Sequence, residues 1–195
     1  MIKLRAASTR DIAAILNIYA PYVKDTVISF EYDVPTKKEM TERFLHTATE
    51  YPYLVCEIDG KIAGFAYASP AFGRIAYQWS CDASVYIDED YHRRGIGHSL
   101  YCAMTELLTV QGYRNLYAVI TANNNSSILF HEKEGFSSVG VYHKSGYKFG
   151  AWHDVLWMEK HIGNFTENPA PPIPFPALSK QKVETILEKY VCHIK

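Results

Sequence analysis

The chain has almost no net charge. Its 20 Lys and Arg residues are offset by 21 Asp and Glu, giving a formal charge of −1 over 195 residues. The two signs are interspersed, with no basic block. That excludes the electrostatic footprint of a nucleic-acid binder, which needs clustered cations against phosphates. No run of about 18 apolar residues is present, so no membrane-spanning helix is expected. The opening Met1-Ile2-Lys3-Leu4-Arg5 alternates like a strand and has no signal-peptide apolar core. Cysteine is sparse and scattered at Cys56, Cys81, Cys102 and Cys192, without a Cys-x-x-Cys pair. Such spacing excludes a zinc ribbon and fits unpaired thiols in a reducing compartment, so a cytoplasmic location is expected. His92, His98, His143 and His161 lack metal-ligand spacing among themselves, so no metal is expected.

What is present is ordinary for a folded domain: 48% apolar and 21% charged residues. Periodicity gives the elements. Ile2 and Leu4 predict a strand, then Ile12, Ile15, Leu16 and Tyr19 a helix interrupted at Pro21. Thr36-Lys-Lys-Glu39 reads as a capping box opening a helix to about Thr49. Two strand-like runs, Tyr53–Ile58 and Lys61–Ser69, flank Asp59-Gly60, a hairpin signal. A strand over Trp79–Ile87, a helix over Gly95–Gln111, a strand over Asn115–Thr121 and a short helix over Ser126–Lys133 follow. Strands over Phe136–Tyr142 and Ala151–Lys160 close the series. This order predicts an α/β (α+β) fold, a mixed, mostly antiparallel twisted sheet flanked by helices.

Composition changes after residue 164. Prolines at Pro169, Pro171, Pro172, Pro174 and Pro176 mark 165–178 as an extended linker rather than packed structure. Val183, Ile186, Leu187, Tyr190 and Val191 then recur with helical spacing, so 179–195 reads as an amphipathic helix. It is expected to pack either on residues 1–164 or on a partner.

The chemistry concentrates in Ser84-Val-Tyr-Ile-Asp-Glu-Asp-Tyr-His-Arg-Arg-Gly-Ile-Gly-His98. A strand runs into a basic, glycine-containing turn that opens a helix. The first N–H groups of a helix have no partners within it and carry partial positive charge. Gly95 and Gly97 allow close backbone approach, and Arg93 and Arg94 add full charges, so a pyrophosphate fits here. The turn is neither a Walker A loop nor a dinucleotide fingerprint, since Leu100 takes the third glycine's place.

This turn, with Asn123-Asn-Asn-Ser-Ser-Ile-Leu-Phe-His-Glu-Lys-Glu-Gly-Phe136, resembles the GNAT superfamily of N-acetyltransferases over about residues 2–160. His92 departs from it, standing where Gln or Arg is usual. Four further segments, Thr26–Glu31, Arg74–Tyr77, Asp82–Tyr86 and Lys148–Val155, resemble the phosphinothricin acetyltransferases, a group that includes methionine sulfone and sulfoximine acetyltransferases.

The resemblance implies acetyl-CoA as cosubstrate. Its pantetheine would lie along Val85, Tyr86 and Ile87, and its pyrophosphate on Arg93, Arg94, Gly95, Ile96, Gly97 and His98. Asn124 would bond the cosubstrate, and is equally suited to capping a helix. Asp82 stands where the group has a Glu base, one methylene longer. His131 would assist proton transfer, with a helix-surface histidine as the plainer role. Phe30, Arg74 and Tyr77 would bind an amino-acid-like amine, Arg74 pairing with its anionic group. Trp152 and His153 lie in a family-like signature. The implied partner is a second copy of the chain. Acetylation of a protein N-terminus or lysine, and non-catalytic acyl-CoA binding, are the other two readings the sequence leaves open.

Overall fold

A computed structural model describes all residues 1–195. Strand β1 (Ile2–Ala6) leads into helix α1 (Ile12–Lys24), which buries Ile12, Ile15, Ile18, Tyr19 and Val23. Pro21 does not interrupt α1, contrary to expectation. The carbonyl that Pro21 cannot satisfy belongs to Asn17, which is exposed and meets water instead. Helix α2 (Lys37–Ala48) starts at the Thr36 capping box: Thr36 Oγ1 accepts from the Glu39 N–H, and Glu39 Oε2 from the Thr36 N–H.

Strands β2 (Tyr53–Ile58), β3 (Lys61–Pro70) and β4 (Ser80–Ile87) form an antiparallel meander beside β1. Helix α3 (Ile96–Gln111) connects β4 to β5 (Asn115–Thr121), and helix α4 (Asn125–Lys133) connects β5 to the hairpin β6 (Ser137–Lys148) and β7 (Ala151–His161). The seven strands lie in the order β1-β2-β3-β4-β5-β7-β6. Only β4 and β5 are parallel. Strand β6 runs past the predicted end at Tyr142, because β7 pairs with it down to the turn at Phe149-Gly150, both at positive φ.

Each face of the sheet has its own core. One packs α1 and α2 against Tyr53, Val55 and Phe65. The other packs α3 against Leu54, Cys56, Ala66, Cys81, Leu116 and Met158.

The C-terminal helix α5 (Lys180–Val191) joins this second core, with Ile186 and Leu187 nearly inaccessible. It lies on α3 and β1, so its apolar stripe is covered by its own domain. The proline-rich stretch is extended as expected, yet it is docked rather than free. The N–H groups of Ile173 and Phe175 donate to the carbonyls of Gln111 and Glu50, and the Trp79 indole N–H donates to the Ala170 carbonyl. Non-proline residues between the prolines keep the donors that make this possible.

Candidate active site

Strands β4 and β5 part at one point. They pair at Ser80–Asn115, Cys81–Leu116 and Asp82–Tyr117, and no further. Beyond Asp82 the strands diverge into a fork lined by Ala83, Ser84, Val85 and Tyr86 on one side and Ala118 to Thr121 on the other. Ile28, Asn124, Ser127 and His131 complete its walls. A parted strand edge offers backbone groups to an extended ligand, as an added strand does.

The fork opens into a groove at the start of α3. Ile28, Val85, Asn124 and Ser127 line both, so the two are continuous. The groove is bounded by Arg93, Gly95, Ile96, Gly97 and His98, with Tyr22, His92 and Phe130. The first α-helical bond runs from the Ser99 N–H to the Gly95 carbonyl. The N–H groups of Ile96, Gly97 and His98 therefore have no partner within the helix. Arg93 and Gly95 both take positive φ, 60° and 82°, which bends the turn around these donors. At Gly95 a Cβ would come within 2.3 Å of the His193 carbonyl oxygen, so the position requires glycine on two counts. The groove has the donors, charge and backbone access a pyrophosphate requires.

Arg94 is placed differently from the sequence expectation. Its Nε donates to the Lys195 carbonyl at 2.7 Å and its guanidinium lies over the Tyr91 ring. Of the two arginines, Arg93 alone lines the groove. The cause lies in the C-terminal segment, which returns to the turn across a hundred residues of chain.

Asp82 sits at the crotch of the fork. Alternation along β4 sends Cys81 and Ala83 into the α3 core, and so Asp82, Ser84 and Tyr86 to the opposite face. Oδ1 of Asp82 is buried without a hydrogen-bond partner. Burial pushes its carboxyl up to about 7, from the ordinary 3.8. A carboxyl half-ionised near neutrality suits a general base.

His131 lies on the other face of the sheet, on α4, and is buried rather than on the helix surface. Its Nδ1 stands 2.7 Å from the Ser127 carbonyl, which can only accept, so Nδ1 carries the proton. Nε2 is then an acceptor for the Tyr101 hydroxyl at 3.1 Å. Phe130, Phe136 and Tyr101 pack edge-on around the ring, and burial lowers its pKa, so the imidazole is neutral at pH 7. Asn124 does cap α4: its Oδ1 accepts from the Ser127 N–H and the Ser126 hydroxyl. It also lines the fork and the groove.

Phe30 borders a hollow at the mouth of the fork with Tyr19, Ile28, Tyr86, Val119 and Thr121. Arg74 and Tyr77 sit apart, exposed on the β3–β4 connection. Tyr77 packs on Phe72 at 4.7 Å, and Phe72 on Tyr117, the strand partner of Asp82. Arg74 forms no ion pair. Trp152 is exposed, and His153 Nε2 lies 3.0 Å from the Lys148 carbonyl.

Sequence reasoning missed Tyr22, Ile28, Tyr101 and Ser127. Tyr22 donates to the Ile87 carbonyl at 2.6 Å from 65 residues away. Ser127, three residues after the cap at Asn124, and Ile28, within Thr26–Glu31, lay in segments with a local signal; Tyr22 and Tyr101 did not. It missed a second hollow too. On the Asp82 face, Tyr19, Glu31, Arg43, Tyr67, Ser69 and Tyr86 line a pocket floored by a Glu31–Arg43 ion pair at 2.6 Å. Ser69 is the β3 partner of Asp82.

A forked parallel pair beside a glycine turn is a geometry that other proteins share. The acetyltransferase (GNAT) domain matches residues 4–157. The chain is a GNAT acetyltransferase. It is 34% identical to the phosphinothricin N-acetyltransferase of Streptomyces viridochromogenes, over 89% of this chain and 92% of that one. It is 28% identical to the L-methionine sulfoximine/L-methionine sulfone acetyltransferase of Pseudomonas aeruginosa, over 82% and 94%. Among solved structures, the Sinorhizobium meliloti phosphinothricin acetyltransferase in complex with acetyl-CoA superposes with a TM-score of 0.82. There the identity is 31%, over 89% of this chain and 98% of that one. This GNAT enzyme is an acetyl-CoA-dependent N-acetyltransferase.

Proposed function

We propose that this acetyltransferase acts on the amine of a small amino-acid-like compound of the phosphinothricin, methionine sulfoximine or methionine sulfone type, by direct attack in a ternary complex. The observation that carries this reading is the placement of Asp82, a desolvated carboxylate with a free oxygen at the crotch of the fork. The names and coverage of the relatives support the substrate class.

The fork and the groove would hold acetyl-CoA through Val85, Tyr86 and Ile87, the turn Arg93 to His98, and Asn124. Acetyl-CoA supplies an acyl carbon activated by a thiolate leaving group. An ammonium has no lone pair, and free α-amines have pKa values of roughly 8. Asp82, directly or through one water, takes the proton that frees the amine. The amine nitrogen then bonds the acyl carbon and the carbon–sulfur bond breaks. The oxyanion would take an N–H of β4 that faces the fork, as that of Val85 does; the Tyr86 N–H is turned to Phe65 of β3. The proton that the attacking nitrogen sheds as the carbon–sulfur bond breaks ends on the departing sulfur; neutral His131 would relay it by exchanging the Tyr101 hydroxyl at Nε2 for that proton.

Arg74, on the β3–β4 connection with Tyr77 and without an ion-pair partner, would meet the substrate's anionic group, while Phe30 would wall the separate hollow at the mouth of the fork. Arg74→Ala is expected to raise KM for the amine by about tenfold to a hundredfold and leave acetyl-CoA binding unchanged. Equal loss of both would remove Arg74 from the substrate site.

The enzyme works as a homodimer in the cytoplasm. Four free thiols suit a reducing compartment, and the exposed side chains of Val141, Tyr142, Tyr147 and Trp152 on the β6–β7 hairpin suit a subunit contact. Sedimentation at micromolar concentration is expected to give twice the 22.2 kDa chain mass.

The test is thiol release from acetyl-CoA with phosphinothricin, methionine sulfoximine, methionine sulfone and ordinary amino acids. Turnover of the first three well above the amino acids supports the reading. Turnover of a peptide N-terminus with none of the three overturns it.

A further inference from the structure

Outside the fork, a second group of reactive side chains converges. His98 and Cys102 lie one turn apart on α3, and Glu134 follows the end of α4. His98 Nδ1 is 2.6 Å from Glu134 Oε1. Cys102 Sγ is 3.7 Å from each ring nitrogen of His98 and 3.7 Å from Glu134 Oε2. One donor atom from each lies within 4.8 Å of the others. The Glu134 side chain is only 7% exposed, yet no lysine or arginine meets its carboxylate. Lys160, the nearest cation, bonds the Glu134 backbone carbonyl instead. A buried carboxylate is costly unless a cation compensates it. On the open side stands His193, just beyond α5, its ring 5.3 Å from that of His98.

We propose that His98, Cys102, Glu134 and His193 form a zinc site. A thiolate, two imidazoles and a carboxylate are the donor types zinc takes, in tetrahedral geometry. With bonds of about 2.0–2.3 Å, neighbouring donors in such a site stand roughly 3.3–3.7 Å apart. Both sulfur separations already fit. The His98–Glu134 contact has to open by about 0.7 Å, and His98 is exposed and has room to turn. Two imidazoles on one tetrahedral ion have ring centres about 5 Å apart, close to the His98–His193 spacing; the exposed His193 has to swing a nitrogen in, because only His98, Cys102 and Glu134 already have donor atoms within 4.8 Å of one another. Binding releases the thiol proton of Cys102. Thiolate and carboxylate then balance the dication, and Glu134 gains its missing counter-charge.

Such an ion joins three pieces of chain around the cosubstrate turn. His98 is in the first turn of α3, Glu134 ends the helix that carries Asn124 and His131, and His193 belongs to the segment that holds Arg94 and abuts Gly95. The site is separate from the acyl-transfer chemistry, and its test does not depend on the substrate.

The test uses the untagged full chain, stripped of metal and titrated with cobalt(II), then zinc(II). One equivalent of cobalt is expected to bind with a thiolate-to-cobalt charge-transfer band and intense tetrahedral d–d absorption, and zinc to displace it. Cys102→Ser is expected to lose the charge-transfer band and about a hundredfold or more in affinity. His193→Ala, on an exposed residue, is expected to lose about tenfold as water takes the fourth place. A metal-free Cys102→Ser chain melting like the metal-free wild type separates lost binding from lost folding. Absence of stoichiometric binding, or a charge-transfer band that survives in Cys102→Ser, overturns the site. Full affinity in His193→Ala overturns the fourth ligand.

Discussion

At Asp82 the proposed role of base opposes the demands of the fold. In the unfolded chain this carboxyl titrates near 3.8, and in the folded chain near 7. The folded state therefore holds the proton more tightly. Stability from this residue is fully present below about 3.8 and is lost as pH rises to about 7, a cost of order 4 kcal/mol above it. Asp82→Asn removes that cost. The variant is expected to melt above wild type at pH 8, with the difference falling to less than half at pH 5. Its kcat is expected to fall by about a hundredfold or more, and the wild-type rise in rate through pH 7 to disappear. A variant that melts like wild type at both pH values would show that Asp82 ionises freely. Several residues of the candidate site were legible from the sequence: the glycine turn, Asn124 and His131 all lie in short motifs. Their partners were not. Tyr101 lies thirty residues from His131, and the Arg94 partner a hundred residues away, and no local pattern encodes such pairings.

Among the elements, the segment between α1 and α2 shows how the site is held from a distance. Residues 25–36 carry Ile28, Phe30 and Glu31, and contain no α-helix or strand. Lys148, at the end of β6, is buried beneath them, and its ammonium donates to the carbonyls of Val23, Thr26 and Ser29 at 2.6–2.9 Å. Three donors meet three acceptors. Lys148→Met would leave all three carbonyls unsatisfied, and is expected to cost about 3 kcal/mol and to raise KM for both substrates. Chemical denaturation with steady-state kinetics checks it. An unchanged midpoint would mean that water replaces the ammonium. Helix and strand identities followed from periodicity, because one face of each is buried. The errors fell where local pattern does not decide: at Pro21, which orphans the carbonyl of the exposed Asn17, and past Tyr142, where pairing with β7 rather than alternating burial extends β6.

On the scale of the molecule, the C-terminal segment is part of the acetyltransferase core rather than an appendage. Its composition marks a boundary near residue 165, but composition does not say where the next helix docks. Ile186 and Leu187 complete the α3 core, and Leu187→Ala is expected to cost about 3 kcal/mol and to lower Tm by on the order of 8 °C. Calorimetry decides this. A single lowered transition fits a shared core, whereas two separate transitions would make α5 an independent unit. The strand order was equally hidden, since β7 enters between β5 and β6 and the alternation of either strand does not name its neighbours.

The three residue pairs between β4 and β5 divide the sheet unequally. On one side are four strands whose pairing is complete without the rest, on the other three more, likewise complete. Each part keeps its own register, so insertions and substitutions in the β5-β7-β6 part can accumulate without shifting the strands of the other. A chain organised this way can vary the β6–β7 hairpin while the parted edge of β4 and β5, and the helix α4 that walls it, keep their geometry.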